Sequence, residues 1–99
     1  MWHELVYTIM SETCPATKLL NLLSKRHMLL VLYHVSIAPH GFNELQEKLS
    51  LNTATLSRRL KELEEEGFVE KKRKGLHRCY SLTDRGARLS DLIEKISQV

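Results

Sequence analysis

Cysteine and proline occur only twice each in this 99-residue chain, glycine four times, and tryptophan, tyrosine and phenylalanine together make 6% of it. Two cysteines as far apart as Cys14 and Cys79 build no disulfide framework, which fits a reducing compartment. No glycine-rich phosphate loop, Ser/His/Asp set or paired-carboxylate pocket is recognisable, so an enzyme is not expected, nor a cofactor. His27 and His34 lie seven apart on one helical face, yet no Cys, Asp or Glu is spaced to complete a metal site. Long apolar runs are missing as well. The longest, Met28 to Val35, is too short for a bilayer and is interrupted by Tyr33 and His34. Glu4 and Glu12 break the apolar start, where no basic segment precedes it. These absences lead to the expectation of a soluble, cytoplasmic, single-domain protein.

What is present is ordinary in amount and uneven in placement. Hydrophobic residues make 42% and charged residues 27% of the chain, as in a globular domain, with a net charge of +3. A chain this short hides only about 60–65% of its unfolded surface, so pairing with a second copy would add stability. Residues 1–49 carry as many acids as bases, and so do residues 83–99. The excess lies in residues 50–82, above all in Lys71, Lys72, Arg73, Lys74 and Arg78. A basic concentration in an otherwise neutral chain is the footprint of a polyanion partner.

The periodicities give the order helix, helix, helix-turn-helix, hairpin, helix. Trp2, Leu5, Val6, Ile9 and Met10 share one helical face. Pro15 suits the first turn of a second helix, which Ser24-Lys25-Arg26 interrupts. Met28 to Val35 reads as a heavily buried helix ended by Pro39-His40-Gly41. Residues 42–66 read as a helix-turn-helix: Asn43 with Gln46 forms a capping pattern, and Ser50-Leu51-Asn52 makes the turn. Asn52 is a good N-cap, with Leu51 and Leu56 at the staple positions. Gly67 is placed as C′, with Phe68 able to touch Leu63 in a Schellman ending. Residues 68–82 read as a two-stranded wing turning at Lys74-Gly75-Leu76. Thr83 caps a last helix through residue 99. The fold class expected is mainly α (α+β).

With Leu56, Leu60 and Leu63 facing inward, helical geometry turns Ala54, Thr55, Arg58, Lys61 and Glu65 outward, with Ser57 and Arg59 on the flanks. The N-terminal half is small, hydroxylic and basic, whereas Glu62, Glu64, Glu65 and Glu66 crowd the other end. A recognition helix needs that gradient, because its N-terminal end enters the major groove. Arginine there can bond guanine O6 and N7 together. The same residues also read as solvated i, i+4 pairs, Arg58–Glu62 and Lys61–Glu65. The capped helix and short turn ahead of them favour contact with double-stranded DNA through Thr53, Ala54, Thr55, Ser57, Arg58 and Arg59. The wing lysines and arginines, Lys71 to Lys74 with Arg78, suit phosphates or the adjacent minor groove. They exceed what protecting a strand edge requires.

The stripes Trp2/Leu5/Val6/Ile9 and Leu89/Leu92/Ile93/Ile96 suggest a two-fold dimer interface built from residues 1–13 and 83–99. A dimer places two recognition helices about 34 Å apart on successive major-groove faces. Cys14 and Cys79 read as inert thiols rather than a redox switch, and no small-molecule effector is encoded recognisably. The rival reading is a winged-helix protein-interaction module without DNA.

Taken together, Cys14-Pro15, Phe42 to Leu45, Thr55 to Glu64, Gly67 to Glu70 and Tyr80 to Thr83 with Gly86 resemble winged-helix regulators of the HxlR type, within the MarR/ArsR-like set. The resemblance covers residues 14–97 and is most specific from Thr55 to Glu70. It implies a homodimeric transcription factor contacting DNA from Thr53 to Arg59 and from the wing around Lys72 to Lys74. The chain departs from that pattern in lacking Gly-Lys-Trp around Lys25-Arg26-His27 and in its short wing. An archaeal or viral relative with a trimmed wing also fits.

Overall fold

Leucines at helical spacing and a small sheet close one core. The computed structural model describes residues 15–75 and 77–99, leaving aside the side chains of Lys74 and His77. The described elements are α1 (Pro15–Leu23), α2 (Met28–Ile37), β1 (His40–Gly41), α3 (Phe42–Leu49), α4 (Thr53–Glu65), β2 (Val69–Lys74), β3 (His77–Leu82) and α5 (Asp84–Ser97). The expected helix carrying Trp2, Leu5, Val6 and Ile9 lies outside the described residues, as do Cys14 and Leu76. Met28, Leu32, Leu45, Leu56, Leu60 and Leu63 are the largest fully buried side chains, so α2, α3 and α4 supply the centre. Burying each contributes about 1.5–3 kcal/mol. Phe68, Val69 and Tyr80 close the core from the wing and Leu89 from α5. A helix-turn-helix followed by a β-hairpin packed beside its second helix is a winged helix-turn-helix.

Three expectations need correction. Asn43 does not cap α3: the N-cap is Gly41, which has no side chain to offer, and the helix begins at Phe42. The sheet has three strands rather than two, in the order β1-β3-β2. His40 pairs with Tyr80 and Gly41 with Cys79, so the residues that end α2 also fasten the HTH to the wing. His40 is buried; its Nδ1–H donates to Ala38 O at 2.6 Å, and Lys48 Nζ donates to Nε2 at 3.0 Å. Finally, α2 is buried on one face only. Met28, Val31, Leu32 and Val35 point inward, while Leu29, Leu30, Tyr33 and Ile37 stay exposed.

The helix ends behave as their local chemistry dictates. Asn52 Oδ1 accepts from Thr55 N at 2.8 Å, which starts α4. At the other end Gly67 takes φ +79°, a left-handed conformation that an L side chain resists. Phe68 N donates to Leu63 O and Gly67 N to Glu64 O, the two bonds of a Schellman ending. Thr83 then does two jobs. Its hydroxyl donates to Gly67 O at 2.6 Å and accepts from Gly86 N at 3.0 Å, so it caps α5 and ties that cap to the end of α4. Phe68 O accepts from Thr83 N at 3.1 Å, and the Arg85 guanidinium lies over the Phe68 ring at 4.7 Å.

Gly86 is required at this junction. A Cβ there would stand 1.9 Å from Phe68 O, a backbone atom that cannot step aside. Gly86→Ala is expected to cost roughly 3 kcal/mol or more and to lower the melting temperature by at least ~12 °C, measured by thermal circular dichroism.

Candidate nucleic-acid interface

The exposed face of α4 begins where Asn52 has capped the helix. Thr53, Ala54, Ser57, Arg58 and Lys61 are exposed along it, and Thr55 is partly covered. The start of the helix is braced from α3, because Gln46 Nε2 donates to Thr53 Oγ1 at 2.9 Å. That bond links the two helices across the turn and holds the first residue of α4 in place.

Glu62 decides what the arginines can do. It pairs with Arg59, one turn earlier on the same helix, and with Lys25 from the turn between α1 and α2. The i, i+4 pairing with Arg58 therefore does not form. Among the described residues no carboxylate lies within ion-pair distance of Arg58 or Lys61. Arg59 has the opposite fate. Only 12% of its side chain is exposed, and its Nε is buried with no hydrogen-bond partner. Of the six residues expected on this helix, five present themselves outward wholly or in part, and Arg59 turns inward beside Glu62.

The wing brings its bases together by register. Arg73 stands directly opposite Arg78, and Lys72 opposite Cys79. Like charges facing one another across a ladder oppose strand pairing unless an anion lies over them. Lys71 and Lys72 have nearby acids, Glu64 at 4.0 Å and Glu70 at 3.2 Å, and Lys71 also lies 5.5 Å from the centre of the Tyr80 ring. Arg73 and Arg78 have none within 4.0 Å among the described residues. Lys74 belongs to the tip of β2. Helix face and wing each carry bases that no acid within 4.0 Å offsets among the described residues. Cys79 is a free, partly buried thiol.

Of the four C-terminal residues expected at a dimer interface, Leu89 packs into this chain's own core and Ile93 lies half-buried against it. Leu92 and Ile96 are exposed. A groove of about 370 Å³ between α2 and α5 is lined by Leu29, Leu32, Tyr33 and Ile93 with Ser36, Ser90, Glu94 and Ser97. The exposed face of α2 escaped the sequence reading because a wholly apolar helix carries no mark of which side is covered. Lys25 and Glu62 were missed too, since nothing in the spacing of 25 and 62 announces that they meet.

A winged helix-turn-helix is an architecture that transcriptional regulators use, and comparison with known proteins supports that class. Residues 22–99 match the model of the HxlR-like helix-turn-helix family, and the chain belongs to that family. It is 37% identical over 93 residues to the uncharacterized HTH-type transcriptional regulator YvaP of Bacillus subtilis, covering 89% of this chain and 86% of that protein. Its fold is similar to the reduced form of the transcriptional regulator YodB from B. subtilis, with TM-score 0.79, 27% identity and coverage of 87% and 89%. It is also similar to the transcriptional repressor BigR from Xylella fastidiosa, with TM-score 0.76, 25% identity and coverage of 91% and 90%. Among the described residues no helix is long and apolar enough to cross a membrane.

Removing the Glu62 charge tests its central place. Glu62→Gln leaves the mostly buried Arg59 guanidinium without its ionic partner, while the Lys25 arm, nearly half exposed, contributes little. A loss of about 2 kcal/mol in urea unfolding is expected.

Proposed function

We propose that this transcriptional regulator works as a homodimer that binds double-stranded DNA sequence-specifically. The N-terminal half of α4 enters the major groove, and the wing rests on phosphates or in the adjacent minor groove. The observation that carries this reading is the turning of Glu62 toward Lys25 and Arg59, which leaves Arg58 exposed and uncompensated. Small neighbours at Ala54 and Ser57 allow the close approach that base contact needs. The facing pair Arg73 and Arg78 on the wing asks for an anion of its own. Thr53, Thr55, Lys71, Lys72 and Lys74 supply hydroxyls and further charge, whereas Arg59 supports the helix from within.

The dimer reading rests on the exposed apolar side chains of α2 and α5, Leu29, Tyr33, Ile37, Leu92 and Ile96, of which Ile37 is 60% and Ile96 67% exposed. A second copy would cover them and set two recognition helices on one face of the duplex. Replacing Leu92 and Ile96 together by Glu, at exposed positions that the core does not use, is expected to convert dimer to monomer in sedimentation equilibrium. A wild-type chain that sediments as a monomer at all concentrations would overturn the dimer.

DNA binding is tested by fluorescence anisotropy across a chloride series. With about eight phosphates contacted per dimer, the slope of log K against log salt should be near −7. Lys72→Glu combined with Arg73→Glu should weaken binding to every duplex alike and flatten the slope. Arg58→Ala should relax the preference among duplexes, at a cost of about 1–3 kcal/mol on the preferred one. Absence of binding at low salt would favour a protein-interaction module, for which the exposed apolar side chains would be the contact surface.

A further inference from the structure

Beside the exposed face of α4 lies a second, polar groove of about 370 Å³, where the α1–α2 turn meets the α3–α4 turn. Its lining combines Arg26, His27, Ser50, Asn52, Thr55 and Arg59. No carboxylate lines it, and Arg26 has no acid within ion-pair distance among the described residues. Arg59 enters already half-satisfied: its Nη1 is held by Glu62, while its Nε is buried and lacks an acceptor. Asn52 uses Oδ1 to cap Thr55, which leaves its side-chain NH2 as a further donor. The groove is thus a concave collection of donors and positive charge with a buried N–H still unanswered. An anion with several acceptor oxygens is the chemistry that completes it.

We propose that this groove seats one backbone phosphate of the bound duplex, with Arg26 as its main cation and Arg59 Nε and Asn52 as secondary donors. The assignment rests on the DNA-binding reading above and adds a contact outside both α4 and the wing. Glu62 and Lys25 act one layer behind it: Glu62 orients Arg59, and Lys25 offsets the acid's negative charge so that it does not repel the phosphate. The contact also sets register. A phosphate gripped from the α1–α2 turn fixes how deeply the first turn of α4 sits in the major groove, while carrying no base preference of its own.

The test is the chloride series repeated with Arg26→Gln, Arg26→Lys and, as a control outside the helix-turn-helix, Lys95→Gln. Arg26 is exposed, so its substitution should leave the melting temperature unchanged. For each copy of the chain on the duplex, Arg26→Gln should flatten the slope by about 0.9 and weaken binding about fivefold to tenfold near ~0.1 M salt, equally for preferred and random duplexes. Arg26→Lys should restore the slope, and Lys95→Gln should match the wild type. Wild-type binding with an Arg26→Gln slope equal to the control's would overturn the phosphate seat and leave the DNA reading standing. Failure of the wild type itself to bind would overturn both.

Discussion

The close contact between Gly86 and the Phe68 carbonyl is the constraint on which the rest of the structure depends. At that point the end of α4, the start of the wing and the start of α5 meet within a few residues. The Schellman bonds at Gly67 and Phe68 stop α4, and Thr83 joins that stop to the cap of the last helix. All four bonds lie in the backbone or on a short side chain, so little freedom remains in the angle between helix and wing. The proposed reading of DNA by helix and wing together would need that angle set before binding, because ordering it afterwards would draw on the binding energy.

A second division of labour follows from a single acid. Glu62 sits where it can reach Lys25 and Arg59 but leaves Arg58 alone, so two neighbouring arginines acquire opposite roles. One is mostly buried and stabilises the joint between the α1–α2 turn and α4. The other stands free on the exposed face. Sequence neighbours on a helix point about 100° apart, and that turn is enough to send one guanidinium under the helix and the other out of it.

The exposed apolar side chains of α2 and α5 belong to the same economy of a small domain. A chain of this length has too little interior to hide every apolar stripe, and the helices that build its centre still carry leucine and isoleucine on their outer sides. The proposed pairing of two copies would hide those side chains and, in the same act, supply a second α4 for the duplex.

Much of this was legible in the sequence wherever the governing physics is local. Asn52, Gly67 and Thr83 mark their helix ends because a cap or a left-handed residue acts within three or four positions. Leu56, Leu60 and Leu63 declare an inward face by spacing alone, and the wing's bases announce themselves by composition. The third strand at His40–Gly41, the demand for glycine at 86, the inward turn of Arg59 and its union with Lys25 through Glu62 were not legible. Each depends on which distant segment lies opposite, and spacing along the chain carries no information about that. The Asn43–Gln46 pattern misled for a related reason: pairing of Gly41 with β3 starts the helix two residues earlier than the side chains suggest. By itself the sequence determined most of the described elements, the helix ends at Asn52, Gly67 and Thr83, and the sign of the charge on one segment. Only the tertiary structure decided which of those charges remain free, because a charge is free or taken according to what folds against it.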